Sequence, residues 1–306
     1  MPLLGLGTWK SNDREAYRAV REAIKIGYRH FDCAARYENE MEIGEAFADA
    51  IKEGEVKREE LWITSKLWNN AHQAEHVEEN LRQTLSDLRV QYLDLYLVHW
   101  PVVLKPEIGF PSSGADFLSL EQVPIKETWQ ALEGCAEAGL SKHIGVSNFS
   151  VKKINDLLEY CTIRPAANQV EGHPFLQQKQ LLDFCQRENI IVTAYSPLGS
   201  LDRPARLIKE TDPLIIRHPL ILELAEEYGV SAAQILISWA ICRGTAVIPK
   251  SSNPDRLREN FRAADLELAS ETMMKIAELD QHLRYIDGTI WTLPGSPYTL
   301  ENLWDV

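Results

Sequence analysis

Asp32, Tyr37, Lys66 and His99 are a carboxylate, a phenol, an ammonium and an imidazole, and each stands at or just past the end of an apolar run. Asp32 closes a stretch that Tyr28 and Phe31 mark as a strand, and Tyr37 lies in the polar loop beyond it. Lys66 ends Leu61-Trp62-Ile63-Thr64-Ser65-Lys66, and His99 ends the apolar run 92–99 ahead of Trp100-Pro101. A carboxylate at the C-terminal end of an apolar strand is costly unless something pairs with it. Singly, each residue has a plain explanation as a cap, a solvated strand end or a hydrogen-bonded core edge. Together they compose an acid. A free tyrosine titrates near about 10, too high for ready proton exchange, and a lysine ammonium beside it favours the phenolate and should lower that value. Asp32 would hold Lys66 charged and in place. His99 can donate a hydrogen bond to a carbonyl oxygen while Tyr37 delivers the proton. This set supplies a proton and no hydride, so a nicotinamide cofactor is implied.

Such a set works only if the fold brings the strand ends together. Apolar residues recur with a helical period over residues 14–26, with Gly27 as the stop, and again over 41–51, 72–88, 126–138, 151–160 and 179–187. Strand-like runs fall at 1–9, about 28–32, 61–66, 92–100, 143–148, 166–171, 190–195 and 245–250. Helical patterns also cover 220–228 and 232–243, and begin at about Pro254 and Ser270. Strict alternation of strand and helix implies right-handed crossovers and a parallel sheet, and eight such units predict an α/β fold, a closed (β/α)8 TIM barrel. Nothing in residues 1–306 reads as an interdomain linker, so one domain is expected. Two long non-periodic segments, 102–122 and 196–218, follow strands, and the aperiodic tail 285–306 can fold back over the same C-terminal face. The barrel puts Asp32, Tyr37, Lys66 and His99 on neighbouring strands at one level.

Composition excludes several alternatives. The 306 residues are 45% hydrophobic and 25% charged, an ordinary globular balance. A net charge of -13 argues against a generic nucleic-acid surface, though not against a local basic pocket for a small phosphorylated ligand. Cysteines 33, 135, 161, 185 and 242 are scattered and odd in number, without a CxxC pair. Neither a disulfide framework nor a zinc site is indicated, and the three in helical patterns should pack as small hydrophobes in a reducing compartment. No apolar run suits a membrane span and no basic-plus-apolar signal stretch opens the chain, so a cytoplasmic protein is expected. Strand ends carry no His and carboxylate cluster for a metal, and no Gly-x-Ser-x-Gly elbow suggests a hydrolase.

Asp32-Cys33-Ala34 with Tyr37, Ser65-Lys66-Leu67-Trp68, His99-Trp100-Pro101, Gly145-Val146-Ser147-Asn148-Phe149 and Ile248-Pro249-Lys250-Ser251-Ser252 occur in order over essentially the whole chain. Taken together they resemble the aldo-keto reductase superfamily, within it the aldose/aldehyde reductase branch. The chain is also similar to the plant aldose-6-phosphate (mannose or sorbitol 6-phosphate) reductases around residues 28–37 and 56–68. The resemblance implies NADPH bound without a Rossmann unit. The sequence agrees, because Gly5-Leu6-Gly7-Thr8 lacks the third glycine of a dinucleotide fingerprint. It implies a floor of Gly7, Thr8, Trp9 and Asp32, and a nicotinamide amide site of Ser147, Asn148 and Gln169 with the Tyr195 ring stacked nearby. Ser196, Leu198 and Ser200 match a pyrophosphate loop. Asp202 matches a residue that closes that loop by pairing with a lysine, here Lys10. Lys250, Ser251, Ser252, Asn253 and Arg256 match the site of the adenosine 2'-phosphate, and Glu259 and Asn260 the adenine contacts. Two cations near a helix start suit a phosphate dianion. Trp9, Trp68, Trp100, Trp291 and Leu293 would line the substrate pocket with Tyr37 and His99.

The departures from that pattern carry information. The chain opens at Met1-Pro2-Leu3, where relatives carry a β-hairpin ahead of the first strand, so that hairpin is expected to be absent or trimmed. Arg36 precedes Tyr37 where several aldose reductases have an apolar residue, and a cation there can recognise a substrate phosphate or carboxylate as readily as it can face solvent. The leading expectation is a monomeric NADPH-dependent reductase of aldehydes, aldoses and some ketones, with Tyr37 as proton donor and no nucleic-acid or membrane partner. One alternative is an aldose-6-phosphate reductase in which Arg36 reads the phosphate. The other is a non-catalytic NADPH-binding regulatory or structural protein.

Overall fold

The computed structural model describes residues 1–11, 14–201, 203–208 and 211–306. Among these residues eight strands form one parallel sheet in sequence order: β1 Leu6–Gly7, β2 His30–Asp32, β3 Trp62–Leu67, β4 Leu95–Val98, β5 Ile144–Ser147, β6 Ala167–Glu171, β7 Ile191–Tyr195 and β8 Ala246–Val247. Leu4 bridges Val247 and Gly7 bridges Lys250, both parallel, so β1 also meets β8 and the barrel closes. The closure is tight: a Cβ on Gly7 would stand 2.6 Å from the Ile248 carbonyl oxygen, which is why glycine fits there.

Amphipathic helices fill the crossovers. Helices α1 Glu15–Ile26, α2 Glu40–Lys52 and α3 Ala74–Asp87 follow the first three strands, and α4 Ile125–Glu137, α5 Val151–Leu158 and α6 Lys179–Arg187 the next three. Two helices, α7 Pro219–Tyr228 and α8 Ala232–Cys242, occupy the seventh connection. Helices α9 Pro254–Arg262 and α10 Ser270–Ala277 follow β8. Their apolar faces pack on the outside of the strands; Val20, Phe47, Leu81, Trp129, Ile154 and Leu236 are fully buried there. Each such side chain contributes roughly 2 to 3 kcal/mol of transfer free energy. Along β3 the pleat alternates. Ile63 joins the outer core and Ser65 bonds to α2, whereas Lys66 turns into the barrel.

Several elements differ from the sequence expectation. The first strand regularises over only two residues, because Gly5 packs against the His30 ring and the backbone beyond Gly7 turns into the cleft. The segment 102–122 contains a two-stranded antiparallel hairpin, Val103–Leu104 against Phe117–Leu118. The tail is not all loop: α11 Leu300–Trp304 ends it, capped by Thr299. Hairpin and tail share a second apolar cluster of Trp68, Trp100, Phe117, Trp291, Tyr298 and Leu303 on the C-terminal face. Cys135 and Cys185 are buried as expected, but Cys242, the last residue of α8, is exposed. No helix among the described residues is long and apolar enough to cross a membrane.

Candidate active site

Asp32 ends β2, Lys66 lies in β3 and His99 follows β4, and these strands are sequential neighbours. Tyr37 comes from a single turn, Ala35–Tyr37, just past β2. Asp32, Tyr37 and His99 meet at the floor of a cleft of about 1040 Å³ on the C-terminal face, with Lys66 directly beneath them. Lys66 is wholly buried, and its Nζ donates to Asp32 Oδ1 at 2.5 Å, to the Cys33 carbonyl at 2.8 Å and to Tyr37 Oη at 3.3 Å. Asp32 Oδ2 accepts from Gln169 Nε2 at 2.6 Å. The Tyr37 and His99 rings stand edge to face, 5.9 Å apart.

The electrostatics follow from this packing. Burial pulls the Lys66 ammonium down, but Asp32 and Tyr37 outweigh it and hold the group above the ordinary lysine range, fully charged. Tyr37 corrects the sequence expectation. Burial pushes its phenol up, Lys66 pulls it down and Asp32 pushes it up again, and the result lies above the ordinary phenol value. The main reason is burial, which outweighs the lowering by Lys66; Asp32, 2.5 Å from that ammonium, offsets part of the lysine's field. Tyr37 is therefore a fully protonated donor. His99 is driven well below its usual value, first by burial and then by the Lys66, His72 and Arg36 charges. A neutral imidazole results, able to donate one N–H.

The residues expected around a nicotinamide form one network beside this floor. Ser147 Oγ donates to the Gln169 carbonyl at 2.8 Å. Asn148 Nδ2 donates to the His99 carbonyl at 2.9 Å and to Ser147 Oγ at 3.2 Å, and Tyr195 Oη donates to Asn148 Oδ1 at 2.8 Å. Asn148 adopts φ +64°, a left-handed conformation that asparagine tolerates better than most residues. Gly7, Thr8, Trp9, Ser196, Leu198 and Ser200 also line the cleft. Asp202, expected to close the loop with Lys10, lies outside the described residues; Lys10 Nζ rests 4.8 Å from the Trp9 ring centroid.

At the β8 end of the cleft stand Lys250, Ser251, Ser252, Asn253, Arg256, Glu259 and Asn260. Asn253 Oδ1 caps α9 by accepting from the amides of Asp255 and Arg256 at 2.9 and 3.0 Å. Lys250 and Arg256 form no salt bridge with a carboxylate among the described residues. Glu259 accepts a hydrogen bond from Ser231 Oγ. Two cations at a capped helix start are a donor set that fits a phosphate dianion.

At the other end, Trp68 packs 5.1 Å from the His99 ring, and Trp291 packs 5.8 and 5.5 Å from Trp68 and Trp100. Trp9, Trp68, Trp100 and Trp291 all line the cleft, as does Arg36. Leu293 does not. It packs against the tryptophan cluster without reaching the cleft, and Ile286 and Ile290 of the same tail take the wall. The short turn Thr289–Trp291 points Ile290 and Trp291 inward and carries Leu293 past the rim.

Solved and curated proteins share this arrangement of chain and fold. The sequence model of the Aldo/keto reductase family matches residues 3–281. The chain belongs to the aldo/keto reductase family. It is similar to an aldo/keto reductase of Synechocystis sp., 56% identical over 305 residues, which span 100% of this chain and 93% of that protein. It is also similar to aldo-keto reductase family 1 member A1 of Homo sapiens, 46% identical over 288 residues, 94% of this chain and 88% of that protein. The aldose reductase of Schistosoma japonicum superposes with a TM-score of 0.87 at 39% identity, covering 95% of this chain and 93% of that one. This aldo/keto reductase is thus an oxidoreductase by family.

Sequence reasoning missed three of its organising residues. Glu171, at the end of β6, is fully buried and accepts from the amides of Tyr285 and Ile286 at 2.7 and 2.9 Å, with His173 Nε2 at 2.8 Å. Arg203 is buried in the loop after β7 and donates to the carbonyls of Gly199, Ser200 and Leu207 while pairing with Asp212. Phe110 stands in the cleft wall. Only Glu171 left a trace in the sequence, as a second carboxylate at a strand end.

Proposed function

We propose that this aldo/keto reductase reduces aldehydes and aldoses, and some ketones, to alcohols, with NADPH as cofactor and Tyr37 as proton donor. The observation that carries the reading is the buried Asp32–Lys66–Tyr37 relay opening onto the cleft beside His99. The bound nicotinamide would supply the hydride. Lys250, Arg256 and the capped start of α9 would hold its 2'-phosphate, and Ser147, Asn148, Gln169 and Tyr195 its nicotinamide end. His99, kept neutral, donates an N–H to the carbonyl oxygen and orients it. Tyr37 gives its proton to that oxygen as charge develops there. Lys66, held charged by Asp32, stabilises the phenolate left behind. The tryptophans exclude water from the reacting carbonyl.

A narrower reading, reduction of aldose 6-phosphates, is favoured by Arg36 in the cleft wall. No observation favours a non-catalytic role. The monomeric state and cytoplasmic location implied by the family resemblance belong to the same proposal, and sedimentation tests the first. The deciding experiment follows loss of NADPH absorbance with an aromatic aldehyde, an unphosphorylated aldose and glucose 6-phosphate. Turnover of the aldehyde and aldose is expected. No turnover with any of them, despite NADPH binding, would overturn the reading.

A further inference from the structure

The cleft is cationic in a chain of net charge -13. Lys250 and Arg256 stand at the β8 end. A second pair stands elsewhere. The guanidinium carbons of Arg36 and Arg206 lie 5.4 and 5.0 Å from the centroid of one ring, Phe110. Arg36 also lies 5.8 Å from Trp68, whose ring is 5.1 Å from His99. Contacts therefore lead from the imidazole that would orient the carbonyl, through Trp68, to two arginines on Phe110.

Arg36, Phe110 and Arg206 come from three different loops, and each loop is held. Arg36 sits in the turn beside Tyr37. Trp68 Nε1 donates to the Gly109 carbonyl at 2.8 Å and so fixes the neighbour of Phe110. Arg206 lies in the turn Ala205–Leu207, anchored by buried Arg203. Glu38 pairs with Arg36, whereas no carboxylate among the described residues forms a salt bridge with Arg206. Among the described residues the carboxylates in the cleft wall are Asp32, committed to Lys66, and Glu259, bonded to Ser231 at the far end. Two guanidiniums on one ring leave positive charge that the ring face offsets only in part. An anion on the substrate would complete the arrangement with charge-assisted hydrogen bonds, for which the planar guanidinium is suited.

We infer that Arg36 and Arg206, seated on Phe110, form an anion-recognising rim at the substrate end of the cleft. It selects carbonyl substrates that carry a carboxylate or a phosphate beyond the carbonyl. The inference rests on the reductase reading above and adds Arg206 and a substrate class to it.

The test compares kcat/KM for 4-carboxybenzaldehyde against benzaldehyde, and for glyceraldehyde 3-phosphate against glyceraldehyde, in the full chain and its variants. In Arg206→Met and in Arg36→Met the charged-to-neutral ratio should fall about tenfold, the loss of one charge-assisted contact. In Glu38→Gln, which releases Arg36, the ratio should rise. The pair with the larger change identifies carboxylate or phosphate as the preferred anion. Ratios within twofold of wild type in both arginine variants would overturn the inference while leaving the reductase reading intact. Calorimetric titration with benzoate and phenyl phosphate decides the matter even if no aldehyde is reduced. Binding weakened by either arginine substitution supports the rim, and absent or unaltered binding refutes it.

Discussion

Lys66 Nζ has three N–H bonds, and the fold gives each an acceptor: Asp32, the Cys33 carbonyl and Tyr37. A buried ammonium so committed cannot leave, and its partner Asp32 is held in turn by Gln169. Asp32 and Gln169 also border the cleft but are almost fully buried, whereas Tyr37 is only half-buried there, so the proton it carries is the one available. Tyr37→Phe should abolish reduction and leave NADPH affinity nearly unchanged, because the ring remains and only the hydroxyl is lost; retained turnover would remove Tyr37 from the proton-donor role. Arg256 belongs to the other end. Arg256→Ala should weaken NADPH binding roughly tenfold or more and NADH far less, measured by fluorescence titration. An equal loss for both would show that Arg256 does not read the 2'-phosphate.

The same strand that points Lys66 inward points Ser65 outward, where strand and helices share a buried carboxylate. Glu40 at the start of α2 accepts from Ser65 Oγ of β3 at 2.5 Å and from Thr84 Oγ1 of α3 at 3.1 Å. Burial outweighs these bonds and lifts its carboxyl from 4.5 to about 7. The folded state then holds a proton that the unfolded chain has already released between those values. Glu40 contributes stability that is fully present below about 4.5 and is lost as pH rises toward 7, on the order of 3 kcal/mol in all. Buried His30, lowered to about 4, and His99, also lowered, act with the opposite sign, costing stability as pH falls below the ordinary histidine range. The test is therefore a difference. Glu40→Gln should gain denaturation midpoint over wild type between pH 5 and pH 7 and level off by pH 8. A constant offset across that range would mean that Glu40 does not titrate there.

At the scale of the molecule, the floor of the cleft is built by the barrel and the walls by chain that the barrel does not dictate. The hairpin segment, the loop after β7 and the tail meet in the tryptophan cluster. The tail is fastened mainly through buried Glu171, which accepts two tail amides, and through Lys153, which pairs with Asp305 and bonds the Asn302 carbonyl at 2.7 Å. Glu171→Gln replaces one acceptor oxygen with a donor facing an N–H, a mismatch that costs about 1 to 3 kcal/mol. Limited proteolysis should then cut near residues 284–293 several-fold faster than in wild type, with KM for aldehydes rising. An unchanged cleavage rate would show that the tryptophan cluster holds the tail by itself. The cleft's cations against an acidic exterior also focus the field on anionic ligands, so association should slow as salt rises.

What the sequence determined was what depends on neighbours a few residues apart. The helical period and the short apolar runs between helices gave the alternation of strands and helices, and that alternation gave the barrel and the level of Asp32, Lys66 and His99. The resemblance of the motifs suggested phosphate and amide sites by position. The remaining features depend on groups close in space and far in the chain, which folding alone brings together. The closing of β1 on β8, the tether of residues 285–286 to Glu171 and the meeting of Arg36 and Arg206 on Phe110 each join segments scores of residues apart. The protonation of Tyr37 is of the same kind. A motif names the lysine beside it, but how far burial and Asp32 cancel that lysine's field is a property of packed distances, and no spacing along the chain encodes them.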